Sequence, residues 1–381
     1  GTRVFGIAPF SSRGLQKMNG TLLRTAPGAE TAALEGLAND GDVALDSGGV
    51  ILVGERLATV PGALSAAASL ARTTGARLAW VPRRAGDRGA LDAGCLPGLL
   101  PGGRPVSDAS ARADLGAVWG AARLPDAAGR DADGIVAALA AGELGGLVVA
   151  GVDPDDTADP AATRAAVEAA GFVVSLELRA TDLTRAADVV LPVAPAVEKS
   201  GTFVTWEGRP RPFEKVLPES HALPDLRVLA GIAEELGVDL GFRTVEQARA
   251  ELAEIGPWDG ARADLPSVPA AEARVLADGE LRLATWRQMI DDGSLLDGDA
   301  YLKATGRAAV ALVSPSTLAG LGLVPGEDVT LTGDRGSVAL PVATADLPDD
   351  VVWLPGNTGG VNVNRDLAAP GSPVRVTGGA A

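Results

Sequence analysis

Residues 187–213 read ADVVLPVAPAVEKSGTFVTWEGRPRPF, and the rest of the chain is read outward from them. The short apolar run 188–191 is stopped by Pro192 and Pro195, which have no backbone N–H to give to a sheet ladder. That pattern predicts a buried strand running into a loop. The loop carries Glu198, Lys199, Ser200 and Gly201 and leads to a second strand over 202–206. Alternation there sets Thr202, Val204 and Trp206 on one face, with Phe203 and Thr205 on the other. Glu207-Gly208 then turns the chain into Arg209. In an open α/β sheet, ligands bind beyond the carboxyl ends of the strands, where a polar, glycine-punctuated loop of this kind falls. An ordinary strand, loop and hairpin would show the same residues.

Upstream, apolar runs alternate with helical patterns. Strands are expected at 4–8, near Leu22, at 50–53, 78–81, 144–151 and 172–176, the run at 144–151 being a central strand. Helices are expected at 29–38, 109–122 and 131–141, and through Leu64, Leu70 and Ala170. Strand, glycine turn, helix is the rhythm of a parallel sheet. Pro160 suits the first turn of its helix, and Thr244 with Gln247 has capping-box spacing ahead of a helix over 244–255. Another helix is expected over 225–236. The prolines and scattered Asp and Gly of 256–305 read as a linker with one short helix near 286–290. From residue 306 the rhythm changes to short strands and tight turns. The expected division is therefore an α/β region over 1–255, a linker over 256–305 and a small all-β domain over 306–381.

At 381 residues the chain is long enough for two cores. It starts at Gly1 and enters an apolar run at once, which is the expectation for a piece of a longer protein. A net charge of −16 argues against nucleic acid and anionic membrane surfaces as partners, because both call for a basic patch that displaces counterions. No apolar run approaches the roughly 20 residues of a membrane span. Cys95 is the sole cysteine and His221, in Glu219-Ser220-His221, the sole histidine. An iron–sulfur cluster takes about four thiolates and a structural zinc four Cys or His ligands, so this chain alone supplies neither. The acidic run Asp153, Asp155, Asp156 and Asp159 lacks the glycine and closing Glu of a calcium loop and reads as a solvated βα loop.

ADVVLP, then EK.GTF, then EGR at this spacing resembles the molybdopterin oxidoreductase superfamily. Within it, VLPVAPAVEKSGTFVTWEGRPRPFEKVL resembles the family of large iron–sulfur subunits, the G subunits, of bacterial NADH:quinone oxidoreductase, respiratory complex I. LPGLLPGGR at 96–104, GLVPGEDVTL, the Asp334-Arg335-Gly336 turn and VVWLPGN carry the likeness along the chain. The resemblance implies a Rossmann-like layered, mostly parallel α/β sheet followed by a double-psi β-barrel. It implies a loop over 82–105 lying across a pterin site, and Asn357, Thr358, Gly359 and Gly360 facing that cleft. Active relatives commonly have G-x-N-P where this chain has Gly151-Val152-Asp153-Pro154, and a carboxylate there repels the phosphates of a pterin dinucleotide. Thr205 stands where an Asn often precedes EGR.

Three functions stay open at this point, the third a degenerate nucleotide-binding module, since an α/β sheet with glycine turns supports many ligands. One is a structural, non-catalytic part of that large iron–sulfur subunit, with no cofactor in this chain, [2Fe-2S] and [4Fe-4S] clusters in an N-terminal portion, and other peripheral-arm subunits, including the one that binds flavin and NADH, as partners. Its location would be the cytoplasmic side of the bacterial inner membrane. The second is an active molybdenum or tungsten oxidoreductase such as a formate dehydrogenase, with molybdopterin bound and Cys95 and His221 to be weighed as ligand and proton carrier. If a cofactor cleft survives, the groups to line it are Gly151, Asp153, Glu198, Gly201, Thr202, Glu207 and Arg209. Gly201 would admit a close backbone approach and Arg209 offers a planar fork for phosphate. If it is empty, Glu198 and Arg209 are expected to pair across the loop.

Overall fold

The computed structural model describes residues 2–38, 40–218, 221–264, 267–271 and 274–378. They divide into two compact units, Gly1–Trp80 with Leu265–Ala381, and Val81–Asp264. Glu219 and Ser220, and Pro266 of the expected linker, lie outside the described residues.

The first unit begins with a parallel ribbon, β1 (Phe5–Ala8) beside β2 (Thr21–Arg24). A two-stranded sheet follows, β3 (Val50–Gly54) and β4 (Arg77–Val81). The helix Ala63–Thr74 joins them, set between Gly62 and Gly75, both in the left-handed region that costs glycine nothing. Its alanines let it lie close, burying Ala63, Ala67 and Leu70 with Leu34 and Val53.

The second unit carries the short antiparallel pair β5 (Leu99–Leu100) and β6 (Arg104–Pro105), then the parallel sheet β7 (Leu147–Ala150), β8 (Val173–Glu177) and β9 (Val189–Pro192), in that order. The helices Pro160–Ala169 and Asp182–Ala186 cover one face, packing Val167 and Leu183 on Val149 and Val173. β8 is thus the central strand and β7, expected in the centre, is an edge. Its apolar run reflects the sheet face, where Val148 is 56% exposed, rather than cover on both sides. After β9 comes the antiparallel hairpin β10 (Gly201–Val204) and β11 (Pro210–Phe213), and then the helices Asp225–Glu235 and Val245–Ile255. Thr244 and Gln247 form the expected capping box, with bonds of 3.3 and 3.1 Å.

The remainder of the first unit is a closed six-stranded barrel, of the double-psi class. Its strands are β12 (Glu280–Trp286), β13 (Ala311–Val313), β14 (Asp328–Thr332), β15 (Ser337–Thr344), β16 (Val351–Pro355) and, after the small hairpin β17 (Asn357–Thr358) and β18 (Val361–Asn362), β19 (Pro373–Gly378). Around the barrel they run β12-β16-β13-β15-β14-β19. The β12·β16 and β13·β15 pairs are parallel and the rest antiparallel. Leu283, Val313, Leu331, Val342, Val352 and Leu354 fill it, all fully buried.

β12 corrects the expected linker and its short helix at 286–290. Residues 280–286 form a strand, residues 287–290 are neither helix nor strand, and the barrel begins at Glu280, not at 306. The alternation Glu280-Leu281-Arg282-Leu283 marks a strand, but it sits among the prolines, glycines and aspartates that gave the segment its linker reading; Leu281 and Leu283 meet the barrel core. Ala284 and Trp286 join a second cluster in which Trp286 lies between Phe10, at 4.5 Å, and Trp353, at 4.4 Å.

Candidate functional site

Parallel register brings Ala150, Leu176 and Leu191 level, so Gly151 and the loop after Pro192 leave the same, carboxyl edge of the sheet. Gly151 has φ of 60° and open space around it, a conformation glycine adopts freely. Asp153 turns its carboxylate back onto the N–H of Asp155 at 3.0 Å, capping the 3₁₀ turn Pro154–Asp156. The neighbouring carboxylates are met by arginines. Asp156 takes Arg84 at 3.0 Å, and Asp155 takes Arg164 at 2.7 Å. Arg164 also reaches Asp182 at 3.1 Å. Burial lowers the Arg164 pKa, but the hydrogen bonds and charges of Asp155 and Asp182 outweigh it and raise the net value. Asp182 is pushed below the usual carboxylate range, first by its bond to Arg164. Asp153, Asp156 and Asp159 are exposed, as expected of a solvated loop, whereas Asp155 is drawn in by Arg164, its side chain 11% exposed.

On the other loop, Glu198 ends a 3₁₀ turn and its N–H bonds the Pro195 carbonyl at 2.9 Å. Lys199 is paired with Asp225. Gly201 lets a neighbour approach, but that neighbour is internal: a Cβ there would stand 2.6 Å from the Phe213 ring, which stacks on Phe203 at 4.8 Å. The hydroxyl of Thr202 accepts from Arg249 Nε at 3.0 Å, while Arg249 Nη2 donates to the Gly201 carbonyl at 2.5 Å. Thr205 closes the turn, its hydroxyl taking the Arg209 N–H at 3.2 Å. Arg209 has Glu207 for its acidic neighbour, at 4.0 Å. The expected Glu198–Arg209 pair does not form. The turn holds Arg209 beside the acid two residues back, and its side chain is 64% exposed.

The structure thus sets Gly151 and Asp153 at one strand end and Glu198 in the loop from the same sheet edge, and gathers Gly201, Thr202, Glu207 and Arg209 in the hairpin. Two further residues do most of the binding together. Arg249 comes from a helix 47 residues beyond Thr202, and nothing in its local sequence marks it. Arg104, the last residue of LPGLLPGGR, is only 3% exposed. It donates to the carbonyls of Pro101 at 2.9 Å, Gly256 at 2.9 Å and Ile255 at 2.7 Å, and to Asp114 at 2.5 Å. It thereby caps the carboxyl end of the helix Val245–Ile255 and holds the glycine-rich loop against it. Trp258 covers the guanidinium at 5.5 Å. Cys95 and His221 are both exposed. A cleft of about 730 Å³ between the helices Ala132–Ala140 and Pro160–Ala169 is walled mainly by alanine, and none of the seven residues lines it. Among the described residues no group of three or more His, Cys, Asp or Glu is arranged to hold a metal, and no helix is long and apolar enough to cross a membrane.

Residues 60–235 match the family "Molybdopterin oxidoreductase" and residues 281–379 match "Molydopterin dinucleotide binding domain". The G subunit of NADH-quinone oxidoreductase from Mycobacterium tuberculosis is 54% identical over 382 residues, covering 99% of this chain and 47% of that protein. Its namesake in Streptomyces coelicolor is 47% identical over 394 residues, covering 99% and 46%. Formate dehydrogenase H of Escherichia coli is 30% identical over 172 residues, covering 45% of this chain and 24% of the enzyme. The chain spans about half the length of the two NADH-quinone oxidoreductase relatives. It belongs to the molybdopterin oxidoreductase family, in the group formed by the G subunits of NADH-quinone oxidoreductase.

Proposed function

We propose that this chain is the structural, non-catalytic portion of the G subunit in the peripheral arm of a proton-translocating NADH:quinone oxidoreductase. The complex as a whole passes electrons from NADH to quinone. In this reading the [2Fe-2S] and [4Fe-4S] clusters belong to another part of the same subunit, flavin and NADH to a neighbouring one, and the assembly stands on the cytoplasmic face of the inner membrane. Gly151, Asp153, Glu198, Gly201, Thr202, Glu207 and Arg209 are then the remains of a cofactor loop.

The observation that carries the reading is what these loops do with their polar groups. A pterin dinucleotide would need free donors for its phosphates and a glycine that admits it. Here the Gly201 approach is filled by Phe213, the Thr202 hydroxyl serves Arg249, Arg84 and Lys199 are spent on Asp156 and Asp225, and Asp153 adds negative charge at the strand end. Among the seven candidate residues Arg209 alone keeps an exposed guanidinium, with Glu207 4.0 Å away, and one such fork does not make a dinucleotide site, so the set of residues does not fit the group. Similarity to the NADH-quinone oxidoreductase relatives along 99% of the chain, against 45% for the formate dehydrogenase, supports the same side.

The test is the molybdenum, tungsten and extractable pterin content of the full-length product purified from its native membranes, assayed together with its NADH–quinone activity. Background metal and pterin in a preparation that oxidises NADH with quinone is the expected result. About one metal and one pterin per chain would overturn the proposal in favour of a working oxidoreductase and make Cys95 and His221 the next residues to replace.

A further inference from the structure

The β10–β11 hairpin is tied at its base, along its strands and at its turn. Arg249 grips its base through the Gly201 carbonyl and the Thr202 hydroxyl, the Phe203–Phe213 stack stiffens it, and Thr205 closes its turn with bonds of 2.9 and 2.8 Å to Arg209 and Gly208. The helix Asp87–Asp92 packs alongside: a Cβ at Gly89 would lie 3.3 Å from Val204, and one at Gly208 3.7 Å from the Arg88 guanidinium. What this element shows to solvent is two aromatic rings and two arginines, with the single carboxylate Glu207 4.0 Å from Arg209. Trp206 is 43% and Phe203 40% exposed, and Arg209 and Arg211 stand out beside them. Residues 83–92 and 201–214 together hold five arginines against four carboxylates; Arg84 and Arg88 are paired with Asp156 and Asp92, so Arg209 and Arg211 are the hairpin's own positive charges, in a chain whose net charge is −16. Tryptophan and arginine are the side chains that most often anchor protein interfaces.

We propose that this hairpin is a docking element for an acidic protein surface. Trp206 is the apolar anchor and Arg209 and Arg211 the flanking charges. The proposal rests on the scaffold reading above and supplies it with a place and a chemistry for a partner. Charge selects the partner: a surface that this acidic chain repels elsewhere is attracted here, which fixes orientation and speeds association. β11 takes part through side chains, because Pro210 and Pro212 deny it the N–H groups that strand addition requires. Nucleic acid is disfavoured by the same net charge, which would repel phosphates around so small a basic patch.

The experiment uses the full-length product, tagged and isolated in its native complex at about 0.15 M salt. Arg209→Lys places an amine at the tip, and a zero-length carbodiimide then couples amines only to carboxylates in contact. A product joining position 209 to an Asp or Glu of another subunit supports the proposal. Products confined to the same polypeptide, or none at all from an intact complex, overturn it. In parallel, the variant Trp206→Ala with Arg209→Glu and Arg211→Glu, shown to melt like the parent, should retain the cross-linked subunit about tenfold less. Equal retention overturns the proposal, and so does retention abolished by nuclease. If the unmodified tagged protein brings down no other component of an NADH:quinone oxidoreductase, it is the scaffold reading that fails.

Discussion

The barrel and the three-stranded sheet solve the same problem to different extents. In the barrel every strand edge is paired and the enclosed leucines and valines are fully buried, so its stability comes from within. The β7–β8–β9 sheet has one face under helices while Val148 and Val189 on the other are 56% and 38% exposed. Parallel sheets are ordinarily covered on both faces. The difference separates a domain that completes its own core from one that leaves apolar area for cover.

The largest test of that contrast is truncation in the two places. Leu331→Ala in the barrel should cost roughly 2–5 kcal/mol in a urea titration, because the cavity cannot collapse in a closed wall. Val148→Thr on the open face should stay within about 0.5 kcal/mol. A cost above about 2 kcal/mol at 148 would show the face to be covered and erase the distinction. Next in size is Arg104→Met, expected to cost the second unit about 2–3 kcal/mol, since the carbonyls of Pro101, Ile255 and Gly256 lose their donor together. A loss under about 1 kcal/mol would mean that water replaces the guanidinium.

Acid should act on the barrel through Asp366. Burial raises its pKa, but the bonds from Arg365, at 2.7 Å, and the Asn362 N–H, at 2.9 Å, pull further the other way and leave it below the usual range. A depressed carboxyl contributes stability that is present above its unfolded value, about pH 4, and is lost as pH falls through the lower folded value. Asp366→Asn should therefore flatten the fall in barrel stability below about pH 4, and an unchanged acid limb would assign that fall to other groups. The smallest expected effect is in the cofactor-loop remnant. Glu198→Ala and Arg209→Ala should be additive within about 0.3 kcal/mol, as fits side chains that do not meet. Coupling above about 1 kcal/mol would restore the pair.

What was legible in the sequence was local or carried by whole words. Pro160 at a helix start and the Thr244–Gln247 box are decided within four residues, and both form as read. VLPVAPAVEKSGTFVTWEGRPRPFEKVL and VVWLPGN identified the family and with it the barrel. Contacts between distant residues were not legible. Gly201 announced that something must come close, but the visitor, Phe213, is set by hairpin register. Thr202 gave no sign of Arg249, nor Arg104 of the last carbonyls of a distant helix. β12 escaped although Glu280-Leu281-Arg282-Leu283 alternates, because the prolines, glycines and aspartates on either side of it read as linker.

The first unit is assembled from two stretches of chain with the whole second unit spliced between them. Arg24 meets Asp346 across 322 residues, and Phe10 meets Trp286. At translation speeds of about 5–20 residues per second, the ribbon waits on the order of 15–65 s for those partners to be made. Through that interval Phe10 has no Trp286 to stack on. The order of synthesis thus sets how long Phe10 and Arg24 go without the partners they have in the finished fold.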